Sequence, residues 1–337
     1  MPAQKVYFPA LDSLRAIAML LVFLSHAGPV MKLAGLDIGW TEWGRLGSIG
    51  LSLFFILSGF LITYLLLQER QDRHTINIGH FYMRRILRIW PLYYLIIGIG
   101  QFLIPYTGLA GLGGIYTSAA GNFSRTAICY LLFLPNIAFL FIKPANPFLG
   151  HTWSIGVEEQ FYLVWPWVLQ KCGRYLPAVL WMLIGLTLLS SWSYTYGFPY
   201  YAGKGEGWRM LSKINAGLYW SNIGYFALGG LMAWWKLQRL RMATALPLPR
   251  GLRNPLARWL PHPLLTYLGR ISYGMYIFHV LATIITAKLL LKTGMPQGSP
   301  VFGLFALCVA FGVTTLAGAL SYRWIESFFL RLKKRFN

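Results

Sequence analysis

Long apolar segments recur along the whole chain, and they restrict its fold more than any other feature of the sequence. Leu14 to Val30 and Leu51 to Leu67 are two examples. Each approaches the roughly 20 residues that a helix needs to cross the ~30 Å hydrocarbon core of a bilayer. Charged residues make up only 12% of the chain, about half their share in soluble domains. The sequence therefore predicts an all-α, polytopic bundle of transmembrane helices.

Nine apolar segments are candidate spans, and cation-rich connections lie between some of them. The segments are 11–30, 47–67, 86–104, 126–142, 148–169, 176–196, 217–235, 271–291 and 301–322. The connections 68–85 and 236–270 and the closing RLKKRFN are rich in arginine and lysine, and Lys5 precedes the first segment. Because cytoplasmic segments carry an excess of these residues, both connections and both termini are predicted to be cytoplasmic.

Two termini on the same side of the membrane require an even number of crossings, so nine cannot be right. The weakest candidates are 126–142, which Pro135 and Asn136 interrupt, and 148–169, which contains two glutamates. Irregular or polar segments survive at membrane depth only inside protein or beside water. One of these two segments is therefore expected to be re-entrant or buried, which leaves eight crossings, with ten as the alternative.

The chain is expected to form a single membrane domain over residues 1–337, with no appended extracytoplasmic domain, because no linker or change of composition divides it. The first apolar segment carries Asp12 and Arg15 and lacks a convincing cleavage site, which favours a spanning helix over a secretory signal. The net charge of +21 arises from cations at helix ends rather than on one soluble face. Nucleic acid is therefore not an expected partner.

The three cysteines, Cys129, Cys172 and Cys308, lie far apart in or near apolar segments. They form no CxxC pair and have no neighbouring pair of histidines, which are the usual features of a metal site. The sequence predicts inert core thiols and no bound metal.

Polar residues inside the first apolar segment form the first candidate site. Placing a charge near the bilayer centre costs about 3 kcal/mol, so such residues usually serve a function. Asp12 and Arg15 are three positions apart and can pair on one helix face, and His26 follows Arg15 by eleven positions, nearly the same face ~16 Å further along. One interpretation is that Arg15 reaches the interface and His26 bonds a neighbouring helix. The other is that His26, with an unperturbed pKa of about 6.5, acts as a general base or carries an acyl group.

The second patch is HTWSIGVEEQFYLVWPW, in which His151, Ser154, Glu158 and Tyr162 recur every three or four residues. This spacing predicts one helical face, with Glu159 pointing elsewhere. A structural polar network is one interpretation. The other is that Glu158 orients a histidine and stabilises its charged form, because a carboxylate in so apolar a segment needs a partner.

Two further patches carry weaker signals. Arg85 and Arg88 lie three apart in FYMRRILRIWP and form a fork suited to phosphate, although positive-inside charge and contact with lipid headgroups also explain them. In GRISYGMYIFH, Ser272, Tyr276 and His279 share a helical face. Tyrosines near membrane interfaces are common, so this last pattern gains weight only in combination with the others.

Taken in order, these segments resemble the integral-membrane acyltransferase family 3, which includes O-acetyltransferases of bacterial surface glycans. The resemblance covers most of the chain. It rests on LDSLRAIAMLLVFLSH, LFFILSGFLITYLL, RRILRIWPLYYL, HTWSIGVEEQFYLVWP, LGRISYGMYIFH and SYRWIESF. The chain departs from the family in its short, basic segment 236–263, where many relatives have a further helix pair, and in Ser327, where relatives often have proline after the glutamate.

The resemblance implies roles for individual residues. Arg15 and His26 match the family's essential Arg-x10-His pair, so His26 is the leading catalytic candidate, with Asp12 or Glu158 as its orienting group. Arg85 and Arg88 match the Arg-x-x-Arg motif associated with the acyl donor. The other matching site residues are Trp153 and Ser154, with Tyr162 nearby, and Ser272, Tyr273, Tyr276 and His279.

The expected activity is transfer of an acyl group, most simply acetyl from acetyl-CoA, to a hydroxyl of a saccharide or lipid-linked saccharide. Acetyl-CoA would be a co-substrate, with no permanently bound cofactor, and membrane lipids would surround a protein of the bacterial inner membrane. A transporter or flippase for an anionic or lipid-linked solute is the alternative, with the same arginines attracting the anion and His26 relaying protons. A purely structural membrane scaffold explains the apolar segments but not the ordered polar motifs.

Overall fold

The computed structural model of the protein describes residues 8–39, 43–104, 123–141, 147–197, 222–245 and 262–336. Most of these residues are helical, and no β-strand occurs among them. The helices of the described part are α1 (Pro9–Leu33), α2 (Gly44–Arg73), α3 (Ile78–Gly98), α4 (Phe123–Leu131), α5 (Pro135–Phe141), α6 (Trp153–Cys172), α7 (Leu176–Trp192), α8 (Ile223–Ala245), α9 (Pro263–Leu291), α10 (Pro300–Ser321) and α11 (Ser327–Leu332). The all-helical prediction is confirmed for this part of the chain.

Six helical stretches within the described ranges are long and apolar enough to cross a membrane. They are Pro9–Leu33, Gly44–Arg73, Ile78–Leu103, Phe148–Tyr196, Pro263–Leu291 and Pro300–Leu332. The fourth stretch, of 49 residues, contains both α6 and α7, which a turn at Gly173–Tyr175 separates. The protein is therefore an integral membrane protein. The number of crossings and the cytoplasmic location of both termini stay predictions.

The segment 126–142, one of the two weak candidate spans, is broken in the structure. Phe133 adopts a φ of 56°, and Pro135, which lacks a backbone N–H, begins α5. The resulting helices α4 and α5 have only 9 and 7 residues, less than half of what a span needs. The other weak candidate, 148–169, lies mostly in the continuous helix α6.

The chain divides into two compact units, and the first comprises Met1–Phe54 and Pro247–Phe329. Within it, α1 packs on α9 and α9 packs on α10. Both helix pairs come into close contact at glycine residues. A Cβ on Gly269 would lie 1.8 Å from the Asp12 carbonyl oxygen, and one on Gly318 would lie 2.6 Å from the Met275 side chain. Small residues permit such close contact between membrane helices.

The second unit comprises Phe55–Leu246 and Leu330–Asn337. A Cβ on Gly59 of α2 would lie 2.1 Å from the Phe226 carbonyl oxygen of α8, and one on Gly229 would lie 2.0 Å from the Ile56 carbonyl oxygen. The two glycines thus let α2 and α8 touch backbone to backbone. Trp165 of α6 donates a hydrogen bond of 2.8 Å to the Thr63 hydroxyl of α2.

Some of the expectations fall outside the described residues. Lys5 and the arginines at 250, 253 and 258, which contribute to the predicted orientation, lie there. So does the beginning of the candidate span 217–235, whose remainder lies in α8. The single domain over residues 1–337 stays a prediction.

Candidate active site

The first unit holds the Asp12–Arg15 pair near the start of α1. Nη1 of Arg15 lies 3.2 Å from Oδ1 of Asp12, which confirms the pairing predicted from their spacing. Asp12 stands in the first turn of α1, where the positive end of the helix dipole favours an anion. The pair therefore holds a buried carboxylate and a guanidinium together at one end of the helix.

Two histidines of the first unit meet between α1 and α9. Nδ1 of His26 lies 3.1 Å from Nε2 of His279, across 253 positions of sequence. Nδ1 of His279 lies 2.6 Å from the carbonyl oxygen of Tyr276. His279 is fully buried, whereas His26 is partly accessible. The leading catalytic candidate thus has a second imidazole as a hydrogen-bond partner, and it also bonds the Val22 carbonyl of its own helix.

The other predicted residues of α9 are Ser272, Tyr273 and Tyr276. The Tyr276 ring lies 5.5 Å from the His279 ring and 6.0 Å from the Phe54 ring, centroid to centroid. Ser272 donates a hydrogen bond of 2.8 Å to the Gly269 carbonyl within its own helix. Tyr273 is only partly buried. The Tyr276 ring thus lies beside the His279 ring, and the Ser272 hydroxyl bonds the backbone of its own helix.

The second unit holds a carboxylate cluster, which we call the Glu158 cluster and define as Glu158, Ser58 and Tyr162. The hydroxyls of Ser58 and Tyr162 both donate to Oε1 of Glu158. The Tyr162 hydroxyl also lies 3.3 Å from the Ser58 oxygen. Glu158 and Tyr162 therefore share a helical face as predicted, and α2 supplies the third member.

The arginines of α3 lie in three different environments. The guanidinium of Arg85 lies 5.6 Å from the centre of the Tyr162 ring and 5.8 Å from that of Phe81, within the range of cation–π attraction. Arg84 forms an ion pair of 3.2 Å with Glu69 and donates to the Phe336 carbonyl oxygen at 2.8 Å. Arg88 is partly buried one turn further along α3.

The start of α6 differs from the expectation in one respect. His151 lies in the 3₁₀ turn Pro147–Thr152, and α6 begins only at Trp153. His151 therefore does not share an α-helical face with Glu158, although its carbonyl accepts a hydrogen bond of 3.3 Å from Ser154. A tighter turn before the helix changes the periodicity on which the prediction depended.

Glu159 has a hydrogen-bond partner of its own, in agreement with the prediction that it points away from the Glu158 face. Its Oε2 accepts a hydrogen bond of 3.1 Å from Nε1 of Trp90. Neither Trp90 nor Ser58 was singled out in the sequence. The only signal for Ser58 is a small hydroxyl residue inside the apolar LFFILSGF, and many such residues merely bond their own helix.

The structure leaves the assignment of these residues to catalysis as a prediction. It brings together Asp12 with Arg15, His26 with His279, and Glu158 with Tyr162 and Arg85. The orienting role expected of Asp12 or Glu158 toward His26 stays a prediction. Among the described residues, no group of three or more His, Cys, Asp or Glu side chains could hold a metal ion.

Comparison with known proteins adds independent information. The family model described as an acyltransferase domain matches residues 8–252 and 242–319. The peptidoglycan O-acetyltransferase OatA of Listeria monocytogenes is 29% identical over 188 residues, which cover 55% of this chain and 28% of that protein. YrhL of Bacillus subtilis, provisionally named a peptidoglycan O-acetyltransferase, is 27% identical over 376 aligned positions, which cover 95% of this chain and 54% of that protein.

A Staphylococcus aureus protein provisionally named an O-acetyltransferase is 29% identical over 173 residues, which cover 48% of this chain and 25% of that protein. The chain thus spans about half the length of these curated relatives, or less. No solved structure matches the chain.

Proposed function

Because the chain belongs to the acyltransferase domain family whose model matches it from residue 8 to residue 319, we propose that it transfers an acyl group to a saccharide hydroxyl. The acyl group is acetyl and the donor is acetyl-CoA. The observation that carries this proposal is the partly accessible His26 imidazole, hydrogen-bonded to a second, buried imidazole inside a membrane helix bundle. The names of the relatives support O-acetylation in particular.

The chemistry assigned to His26 is general-base catalysis. Its imidazole takes the proton of the acceptor hydroxyl while that oxygen attacks the thioester carbonyl. The carbon–sulfur bond then breaks, and the CoA thiolate leaves and receives the proton. In a second route, His26 itself accepts the acetyl group, releases CoA, and passes the group to the hydroxyl. The two routes differ in whether acetyl-enzyme forms with donor alone.

The donor-binding role is assigned to Arg85 and Arg88. CoA carries several phosphates, and guanidinium groups bind phosphate in a bidentate manner. The ring contacts of Arg85 hold its guanidinium in place, and Arg84 is already engaged with Glu69. Of the three arginines at this end of α3, Arg85 and Arg88 are therefore the better candidates for the donor.

The acceptor is proposed to be a glycan of the cell envelope or its lipid-linked precursor. The relatives in Listeria monocytogenes and Bacillus subtilis are named for peptidoglycan. The remaining predicted site residues, Trp153, Ser154, Tyr162, Ser272, Tyr273 and Tyr276, are proposed to shape the donor and acceptor sites. The transporter alternative receives no support from these relatives, which are named as O-acetyltransferases.

The proposal is tested on protein purified into nanodiscs, by measuring both acetyl-CoA binding and acetyl transfer to peptidoglycan fragments. His26→Ala is expected to lower transfer by on the order of 100-fold or more, the usual share of a general base, while donor affinity is retained. Arg85→Ala/Arg88→Ala is expected to weaken donor binding at least ~10-fold, because charge-assisted hydrogen bonds are lost.

Arg239→Ala is the matched control for loss of positive charge. Arg239 is exposed on α8 and lies over the Trp235 ring at 3.8 Å, so its removal is expected to leave donor binding unchanged. Unaltered transfer in folded His26→Ala would contradict the catalytic role. Equal losses of affinity in the double variant and the control would contradict the donor site.

A further inference from the structure

We infer that His279 is a positioning residue that holds His26 in the tautomer with its lone pair on Nε2. This inference rests on the proposed function, since it names the nitrogen of His26 that would take the proton. In this role, His279 bonds and orients His26 and does not itself act on the substrate. The hydrogen bonds around the two rings carry the argument.

The first step is the hydrogen bond between His279 and the backbone of α9. Nδ1 of His279 lies 2.6 Å from the Tyr276 carbonyl oxygen. A carbonyl oxygen only accepts, so Nδ1 of His279 must carry the hydrogen and donate it. A neutral imidazole has one donor nitrogen and one acceptor nitrogen. Nε2 of neutral His279 is therefore the acceptor.

The donor and acceptor roles on His279 also determine the direction of its hydrogen bond with His26. Nε2 of His279 lies 3.1 Å from Nδ1 of His26. Because the first nitrogen accepts, the second must donate, and Nδ1 of His26 carries the hydrogen. Nε2 of neutral His26 is then left with the lone pair. A backbone carbonyl of α9 thus acts through His279 on a residue of α1, in addition to the Val22 carbonyl that His26 bonds within its own helix.

The two imidazole rings differ in their exposure, and this difference indicates their roles. His279 is fully buried, whereas His26 is partly accessible, so His26 is the ring that a substrate hydroxyl can reach. When Nε2 of His26 takes a proton, the Nδ1–H of the imidazolium still donates to neutral His279. A neutral acceptor thus supports the charge where other enzymes use a carboxylate.

The surrounding helices hold His279 in the required orientation. The ring of Tyr276 lies 5.5 Å from that of His279. At Gly269, the α9 backbone leaves no room for a side chain against the Asp12 carbonyl of α1. The distance between α1 and α9 is therefore set by direct backbone contact, which keeps the two imidazoles within hydrogen-bonding range.

Two substitutions at position 279 distinguish positioning from packing. In His279→Gln, the amide NH₂ can donate to the Tyr276 carbonyl while the amide oxygen accepts from His26. In His279→Leu, neither bond can form. The leucine variant is expected to lose about 10- to 100-fold in kcat, the range found for groups that orient a metal-binding histidine, with little change in KM for acetyl-CoA. The glutamine variant is expected to recover most of that loss.

Thr286→Val is the matched control on the same helix. Thr286 is buried, and its hydroxyl donates to the Ala282 carbonyl at 2.9 Å. Its substitution removes a buried side-chain hydrogen bond without touching the imidazole pair. The kcat of this variant is expected to stay within about twofold of wild type.

A second readout does not depend on activity. Nitrogen-15 NMR of histidine-labelled protein in nanodiscs distinguishes protonated from unprotonated ring nitrogens, and His26→Ala identifies the His26 signals among the 6 histidines. Wild type and His279→Gln are expected to show Nδ1–H and bare Nε2 at His26. In His279→Leu only the Val22 carbonyl of α1 remains as a partner of His26, and a larger fraction of the Nε2–H form is expected. This result would stand even if no acyl transfer were detected, so failure of the two proposals is distinguishable.

An Nε2–H tautomer of His26 in the wild-type protein would overturn the inference. Equal kcat losses in folded glutamine and leucine variants would also overturn it, because packing alone would then explain them. If His279→Leu does not fold, His279→Gln and the wild-type spectrum decide the matter by themselves.

Discussion

At the scale of single residues, polar side chains of the spanning helices pair with one another through ion pairs and hydrogen bonds. The Asp12 carboxylate has the Arg15 guanidinium at 3.2 Å, and one oxygen of Glu158 accepts from both Ser58 and Tyr162. A charge in hydrocarbon is costly unless it is paired. These contacts lower that cost, and they hold the side chains in defined positions.

The Glu158 cluster gives a prediction about stability. Tyr162→Phe and Ser58→Ala each remove one hydrogen bond to the same carboxylate oxygen. Each is expected to lower the free energy of unfolding by about 1.5–3 kcal/mol, the range for hydrogen bonds to charged groups. The double variant is expected to deviate from the sum of the two, because the residues share one partner. Denaturant unfolding in nanodiscs or detergent measures all three.

Tyr94→Phe is the control for this series. The Tyr94 hydroxyl donates to a neutral acceptor, the Leu131 carbonyl, at 2.9 Å, so its loss is expected to cost about 1 kcal/mol or less. A cost for Tyr162→Phe no larger than for Tyr94→Phe would show that Glu158 does not carry a charge that these hydroxyls stabilise.

Residue pairs within one helix were predictable, and pairs between helices were not. The three-residue spacing of Asp12 and Arg15 is enough to predict their contact, because helical geometry brings such positions together. The sequence indicates His26 and His279 as site candidates, but it does not indicate that they are partners. Spacing indicates the face on which a residue lies, and it carries no information about which helix packs against that face.

At the scale of helices, the contact between α1 and α9 depends on Gly269. A Cβ at this position would lie 1.8 Å from the Asp12 carbonyl oxygen, so Gly269→Ala requires the backbones to move apart. The substitution is expected to cost about 1–3 kcal/mol of stability, as for other overpacked sites. It is also expected to lower acetyl transfer, because the two histidines lie on these same helices. Thermal unfolding and turnover of the purified variant provide the two measurements.

Gly312→Ala is the matched control in the same unit. No atom lies within 4 Å of a Cβ built on Gly312 of α10, and alanine is favoured over glycine in a helix by about 0.5–1 kcal/mol. This variant is expected to be at least as stable as wild type. If the two alanine variants unfold alike, the close approach of α1 and α9 is not a constraint in solution.

The apolar pattern predicted most helices well but not their interruptions. The candidate span 11–30 lies within α1, because burial in lipid requires a continuous apolar helix. The segment 126–142 looked like a weak span, yet it divides into α4 and α5. Hydropathy measures only the average polarity of a segment, whereas the break arises from local backbone geometry at Phe133.

At the scale of the whole molecule, the cation distribution predicts the orientation in the membrane. The connection between α2 and α3 is expected in the cytoplasm, and the one between α9 and α10 on the outer side. Single cysteines at Gln71 and Met295, both exposed, report on these connections in a background without the 3 native cysteines. In intact cells, a membrane-impermeant maleimide is expected to label position 295, and position 71 only after permeabilisation. The reverse pattern would invert the assigned topology.

We propose that this membrane protein is an acetyl-CoA-dependent O-acyltransferase, and reconstitution of the reaction from purified components is the direct test. Purified protein in nanodiscs is given acetyl-CoA and peptidoglycan fragments, and both the release of free CoA and the acetylation of the fragments are followed. CoA release matched by acetylated saccharide is expected, and both are expected to be lost in His26→Ala. Folded protein that neither binds nor consumes acetyl-CoA while acceptors are present would contradict it.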